Sequence, residues 1–365
     1  MKRKNKQKKG ISKREKIFIA LIVLVFLLAS LNVAKAKGWL LPEQNDVNVE
    51  NNIIELNSLT LEQKIAQMVI VHGGMHNLEV WQRLQLGGIH LFAMQDAELY
   101  KKVISDFQTG MSIPFFVTVD LEGCLNPFSE FYDSAPVSEI SSVEESFNKG
   151  RVDGNFLQSI GVTINFAPVV DLDDQIWGCR SFPGTEEEIA ELAEAYILGL
   201  QRERVIATVK HYPGKTLVIK DPHKQLVSAV INPKDLYPYQ YLSDRNHQNA
   251  YMTSHLIVTG ELDSNGNPSV VSDEIINSLK DKKSLMISDD TMMLGLRNFY
   301  STPEQLYIDV FKAGNDLILN FDEDPLEINH MIKVVAEAVE SGEISLEQID
   351  NSVRKILQAK GFIVE

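Results

Sequence analysis

KHYPGKTLVIKDPH, residues 210–223, decides how the whole chain reads. The apolar run 205–209 ends in Lys210 and His211, a Pro-Gly turn follows, and Asp221 and His223 stand in a short polar loop. A strand buried on both faces needs an apolar run, and reactive groups need access at its end. A parallel barrel meets both needs by carrying its catalytic residues at the C-terminal face of its strands.

Seven further runs of this kind accompany 206–211, at 68–71, 89–94, 115–120, 164–170, 250–255, 284–289 and 316–320. Helix-period segments separate them, among them 98–107, 143–159, 186–204, 272–279, 303–313 and 325–341. This α/β alternation over about 300 residues predicts a closed (β/α)8 TIM barrel rather than an open doubly wound sheet. Ser58 or Thr60 is placed to cap a helix at 61–67, and a last helix, 345–360, opens on a Ser-x-x-Gln box and stops before Gly361.

The 365 residues, 44% apolar and 23% charged, suit one large domain after the first ~40 residues. Net charge is −15, but residues 1–16 hold nine Lys or Arg and one Glu, a local +8, so the remainder carries −23. An acidic body repels phosphates, which argues against a nucleic-acid partner. Residues 17–34 are apolar apart from Ser30 and Asn32, and as a helix would span about 27 Å of a bilayer core of roughly 30 Å. The expected organisation is a basic cytoplasmic head (1–16), a membrane anchor or signal segment (17–36), a polar linker (37–57) and the barrel (58–365). The basic flank predicts a barrel outside the cytoplasm. Ala34-Lys35-Ala36 also fits a signal cleavage site, which would release the domain.

Polar residues end several strands: Asp120, Lys210 with His211, His255, and Asp289 with Asp290. With no phosphate-cradling glycine loop, no Gly-x-Ser-x-Gly elbow and no Cys cluster, the set points to hydrolysis or group transfer on a neutral polar substrate. Lys210 beside His211 would repel a cation, which disfavours a metal shell. Glycoside cleavage needs a carboxylate at the anomeric carbon and a proton donor at the leaving oxygen. Asp289 suits the first role. His223 can give and take a proton near neutrality, and Asp221 could orient its ring.

Read in order, TVDLEG (118–123), GVTINFAPVVDL (161–172), RSFPG (180–184), TVKHYPG (208–214), the Asp221-Pro222-His223 loop, MTSH (252–255) and ISDD (287–290) resemble family 3 glycoside hydrolases. They are most similar to the bacterial β-N-acetylglucosaminidase (β-N-acetylhexosaminidase) branch. The resemblance implies a retaining mechanism with Asp289 as nucleophile and His223 with Asp221 as acid/base dyad. It implies that Asp120, Arg180, Lys210 and His211 bind the terminal N-acetylglucosamine, with His255 near the nucleophile. The implied substrates are amino-sugar oligosaccharides or muropeptides, and neither a metal nor an organic cofactor is implied. A phosphorylase using the same dyad, or a silent sugar-binding barrel, are the alternatives.

Cys124, Leu125 and Asn126 stand where the family carries Gly-Arg-Val, Lys215 and Thr216 replace His-Gly, and Pro222 replaces Ser or Thr within the dyad loop. The only two cysteines, Cys124 and Cys179, both lie in expected rim loops. In an exported protein such a pair is expected to form a disulfide.

Overall fold

The structure is a computed structural model and describes residues 13–36, 47–172, 177–214, 224–245, 250–279 and 283–365. Eight parallel strands form one sheet: β1 (Val69–His72), β2 (Gly88–His90), β3 (Phe116–Val119), β4 (Ile164–Asn165), β5 (Ile206–Tyr212), β6 (Ala250–Thr253), β7 (Leu285–Ser288) and β8 (Ile318–Leu319). Each strand from β1 to β7 pairs with its successor except across the seam between β7 and β8, and β8 pairs with β1. The seam closes where Ile287 bridges Leu317 in parallel and the Ser288 amide donates to the Leu317 carbonyl at 2.9 Å. The result is the (β/α)8 barrel expected from the alternation.

The strands are buried along nearly their whole length, as parallel strands covered by helices must be. All eight fall inside or within a residue of the expected runs, but several stop early. β4 is the shortest against expectation: Pro168 has no amide hydrogen to give to a ladder, and the chain beyond Asn165 makes only isolated bridges, Val169 to Ser181 and to Lys210. The helices begin on local signals. Thr60 and Gln63 form a reciprocal capping box for Leu61–Gln67, and Thr185 and Glu188 do the same for Glu186–Arg202. Helix Val143–Ile160 packs against Glu186–Arg202 so closely that a Cβ at Gly150 would lie 2.2 Å from the Tyr196 carbonyl oxygen.

Some features were not anticipated. Helix Pro233–Asp244 contains two prolines and three tyrosines, which blur a plain apolar period, and starts on an Asn232–Asp235 capping box with Pro233 in its first turn. A small parallel pair, Ser228–Ile231 with Ile257–Gly260, links the loops that follow β5 and β6.

The chain enters and leaves the barrel on one side. Within the segment expected as a polar linker, 37–57, the short strand Ile53–Ile54 pairs with Ile363–Val364, Ile54 and Leu56 are buried in the core, and the Leu56 amide donates to the Glu365 carbonyl at 2.9 Å. Lys360 donates to Gln67 Oε1 just ahead of β1 and lies 5.0 Å from the Phe116 ring at the start of β3, so this is the N-terminal face of the strands.

Residues Lys13–Ala36 form one continuous helix. The side chains described in it, 18–31 among them, are exposed. Among the described residues no helix is long and apolar enough to cross a membrane.

Candidate active site

The C-terminal ends of the strands carry a dense set of charged groups. Register brings them level: Thr118 pairs with Ile164, Lys210 with Met252, and Ser288 with Thr253. Asp120 follows β3, Lys210 and His211 lie in β5, His255 follows β6, and Asp289 follows β7. Arg180 ends the turn Gly178–Arg180 in the loop after β4. Asp221 and His223 lie outside the described residues.

Lys210 is the hub. Its Nζ donates to Asp120 Oδ1 at 2.6 Å and also pairs with Glu122 Oε1. Glu122 Oε2 in turn meets Arg180 Nη1 at 3.3 Å. Lys210 and Glu122 are each only 3% exposed, whereas the Asp120 side chain is 43% exposed and reaches the mouth. Burial lowers the Lys210 proton affinity, but Asp120 and Glu122 overcome that and hold the ammonium charged above its ordinary range. Burial likewise pushes Asp120 up, and Lys210, His90 and Arg180 more than reverse it, so its carboxyl lies below the usual value. The rim therefore offers a fixed carboxylate held by buried cations, which suits forked hydrogen bonding to vicinal hydroxyls.

His211 is set by a buried acid that sequence reasoning did not single out. Asp171 Oδ2 pairs with His211 Nδ1 at 2.8 Å, and Oδ1 accepts from the His211 amide at 3.1 Å. Tyr239 also donates to Asp171, at 3.4 Å. Glu122 and Asp171 stand within TVDLEG and VVDL, so the motifs held them. Only their contacts with distant strands reveal what they do.

At β7 the two adjacent carboxylates differ. Asp290 Oδ1 accepts from the Met292 and Phe321 amides at 3.0 and 3.3 Å, which closes a turn. Asp289 is half-buried, its Oδ1 accepts from the Asp290 amide at 2.8 Å, and its own amide is tied to the Thr253 carbonyl at 3.0 Å. His255 is buried, and its Nε2 donates to the Asp290 carbonyl at 2.8 Å. It thus steadies the turn that carries Asp289.

A disulfide joins Cys124 to Cys179, whose Cα atoms are 5.9 Å apart. It ties the loop after β3, two residues beyond Glu122, to the residue immediately before Arg180. The Arg180 guanidinium lies over the Trp177 ring, 4.6 Å from its centroid, which engages Trp177 with the protein's own cation. Trp81, by contrast, is fully buried and donates to the His72 carbonyl.

Comparison with known proteins agrees with the barrel fold. The model of the glycosyl hydrolase family 3 N terminal domain matches residues 60–359. A beta-hexosaminidase of Actinobacillus succinogenes is 26% identical over 297 residues, which cover 74% of this chain and 80% of that one. The beta-hexosaminidase LpqI of Mycobacterium bovis is 25% identical over 329 residues, 83% of each. A family 3 glycosyl hydrolase from Mycobacterium smegmatis superposes with a TM-score of 0.77 at 25% identity, over 85% of this chain and 99% of that one. A family 3 β-N-acetylglucosaminidase from Paenibacillus, at 24% identity and a TM-score of 0.75 over 83% of this chain and 62% of that one, shares the fold. With its barrel closed, its charged rim assembled and the family model spanning most of its length, the chain belongs to glycosyl hydrolase family 3 and is a glycosidase.

Proposed function

We propose that the protein removes terminal β-linked N-acetylglucosamine from amino-sugar oligosaccharides, peptidoglycan fragments among them, by a retaining mechanism. The observation that carries the reading is that Asp289 and the Asp120–Lys210–Glu122–Arg180 network occupy the same strand-end rim of a family 3 barrel. The relatives named beta-hexosaminidase support the choice of sugar.

Asp289 attacks the anomeric carbon, the glycosidic carbon–oxygen bond breaks, and His223 gives its proton to the leaving oxygen. Water then attacks the glycosyl-enzyme, loses a proton to His223, and frees Asp289. Asp221 orients the imidazole and stabilises its charged form. Asp120, Arg180, Lys210 and His211 hold the sugar hydroxyls, and His255 holds the turn at Asp289.

We also propose that residues 17–34 anchor the protein in the cell membrane with the barrel outside the cytoplasm. The support is the basic flank and the apolar run of the sequence, broken only by Ser30 and Asn32. Cleavage after Ala36 would instead secrete the domain, and the mass of the mature protein separates the two.

The test is turnover of a chromogenic N-acetylglucosaminide and the matching glucoside, each with and without phosphate. Faster release of N-acetylglucosamine from the first substrate, with no sugar phosphate formed, supports the proposal. Phosphorolysis would replace the hydrolase reading, and sugar binding without turnover would end the enzymatic one.

A further inference from the structure

Two strand-end imidazoles, His72 and His90, are used by neither the sequence motifs nor the proposed mechanism, and His90 is the buried one. His90 ends β2, is 1% exposed, and sits among aromatic rings. Phe166 stacks on it at 5.4 Å with planes 4° apart, Phe321 covers it at 4.9 Å, and Phe92 meets it edge-on at 4.7 Å. Its Nδ1 pairs with Thr118 Oγ1 at 2.9 Å, closer than the 3.4 Å from that hydroxyl to the Ile89 carbonyl, and its Nε2 lies 3.5 Å from Asp120 Oδ2.

An apolar ring would fill this slot at lower desolvation cost, so the imidazole needs a reason to be there. The tautomer follows from the neighbours. A hydroxyl can donate to Nδ1, whereas a carboxylate only accepts, so the ring proton belongs on Nε2, facing Asp120. Burial drives the imidazole down to about 4, against the pull of Asp120, so the ring is neutral at physiological pH. Lys210 and His72 face the same ring and push in the same direction as burial.

We propose that His90 is a positioning residue that fixes Asp120 from the side opposite Lys210 and so sets how strictly the site reads the ring hydroxyls of the terminal sugar. Lys210 holds Oδ1 and His90 faces Oδ2, so the plane of the carboxylate is set from both sides. Because the second donor is neutral, it orients the carboxylate without cancelling the charge that a sugar hydroxyl donates to. The rings of Phe166 and Phe321 stacked on the imidazole hold its plane. The inference rests on the proposed role of Asp120 as a sugar ligand.

The experiment uses the full-length protein with His90→Phe, His90→Gln, Thr118→Val and Asp120→Ala. Substrates are a chromogenic β-N-acetylglucosaminide and its C4 epimer, the galactosaminide. His90→Phe keeps the slot filled with an aromatic ring, and a thermal melt establishes that it folds. It is expected to raise KM for the glucosaminide by about tenfold while kcat changes less, and to narrow the preference over the epimer by a similar factor. His90→Gln restores part of the loss, since its amide can donate. Thr118→Val, which frees Nδ1, gives a smaller change in the same direction.

If Asp120→Ala raises KM and narrows the epimer preference but no His90 or Thr118 variant does, the positioning role is wrong. If Asp120→Ala itself leaves KM and preference intact, the sugar-binding reading of the rim fails, and this inference with it. A His90→Phe protein that melts early yet keeps wild-type KM and preference assigns His90 to stability alone and overturns the proposal.

Discussion

Asp316 and Asp120 lie at opposite ends of the same barrel, each paired with a lysine, and their fates differ. At the N-terminal face, Asp316 is buried. Its Oδ2 accepts from the Met286 amide at 2.8 Å and from Lys355 Nζ at 2.9 Å, and its Oδ1 accepts from Ser352 at 2.7 Å. Burial outweighs these partners and its carboxyl sits above the ordinary value. At the rim, Asp120 has Lys210, His90 and Arg180 around it, keeps part of its surface open, and sits below the ordinary value. One carboxylate is consumed by the fold; the other is kept charged and accessible. The difference lies in how many cations surround each and how much water is left, not in the residue or in its lysine partner.

The strongest test of the rim is the third carboxylate. Asp289→Ala should lower turnover of a chromogenic N-acetylglucosaminide by roughly four orders of magnitude without shifting the melting temperature appreciably. A variant within tenfold of wild type would remove Asp289 from the chemistry.

The lysines sharpen the contrast directly. Lys210→Met should reduce kcat/KM about a hundredfold, through loss of two charge-assisted hydrogen bonds, and also destabilise the fold by leaving buried Glu122 with Arg180 alone for a cation. Lys355→Met should cost about 3 kcal/mol of stability in denaturant melts yet leave KM and kcat unchanged. Equal kinetic effects from the two would erase the distinction between the two ends.

The disulfide probes a smaller effect. Replacing both Cys124 and Cys179 by Ser should lower stability by about 4 kcal/mol on the chain-entropy model, for a sequence separation of 55. KM should rise several-fold because the Arg180 loop loses its tie to the Glu122 loop, while kcat stays within about twofold. Treatment of the wild type with a reductant should reproduce the KM change.

Smallest is the pH signature. For Asp120, with its folded value below the ordinary 3.8, the stabilising contribution is present above 3.8 and lost as pH falls through the lower folded value. For Asp316, raised above 3.8, the folded state binds the proton more tightly. Its favourable contribution is present below 3.8 and lost as pH rises through the raised value. Asp120→Asn should therefore blunt acid destabilisation below about pH 4, and Asp316→Asn should remove a gain in stability on acidification just above it. Denaturant melts across pH 2–7 read both, and slopes of the same sign would contradict the pair.

The eight strands were legible because a buried parallel strand leaves a plain record, a β-branched apolar run closed by a polar residue. Asp120, Lys210 and Asp289 were legible for the same reason, standing where such runs end. Glu122 was not, because its partners, Lys210 on β5 and Arg180 in the loop after β4, lie far along the chain, and no local pattern records that closeness. His90 resembles any lone histidine in an apolar strand; only its aromatic slot and its line to Asp120 distinguish it. Helix Pro233–Asp244 was hidden by Pro238 inside it, where tertiary packing overrides a poor local propensity.

Because the first and last strands of the domain lie side by side, beneath the strand starts and away from the charged mouth, the two ends of the folded body share one pole. An affinity handle appended after Glu365, captured on a bead or sensor chip, would orient the molecule with its cleft toward the liquid, so that dissolved saccharides reach it unobstructed.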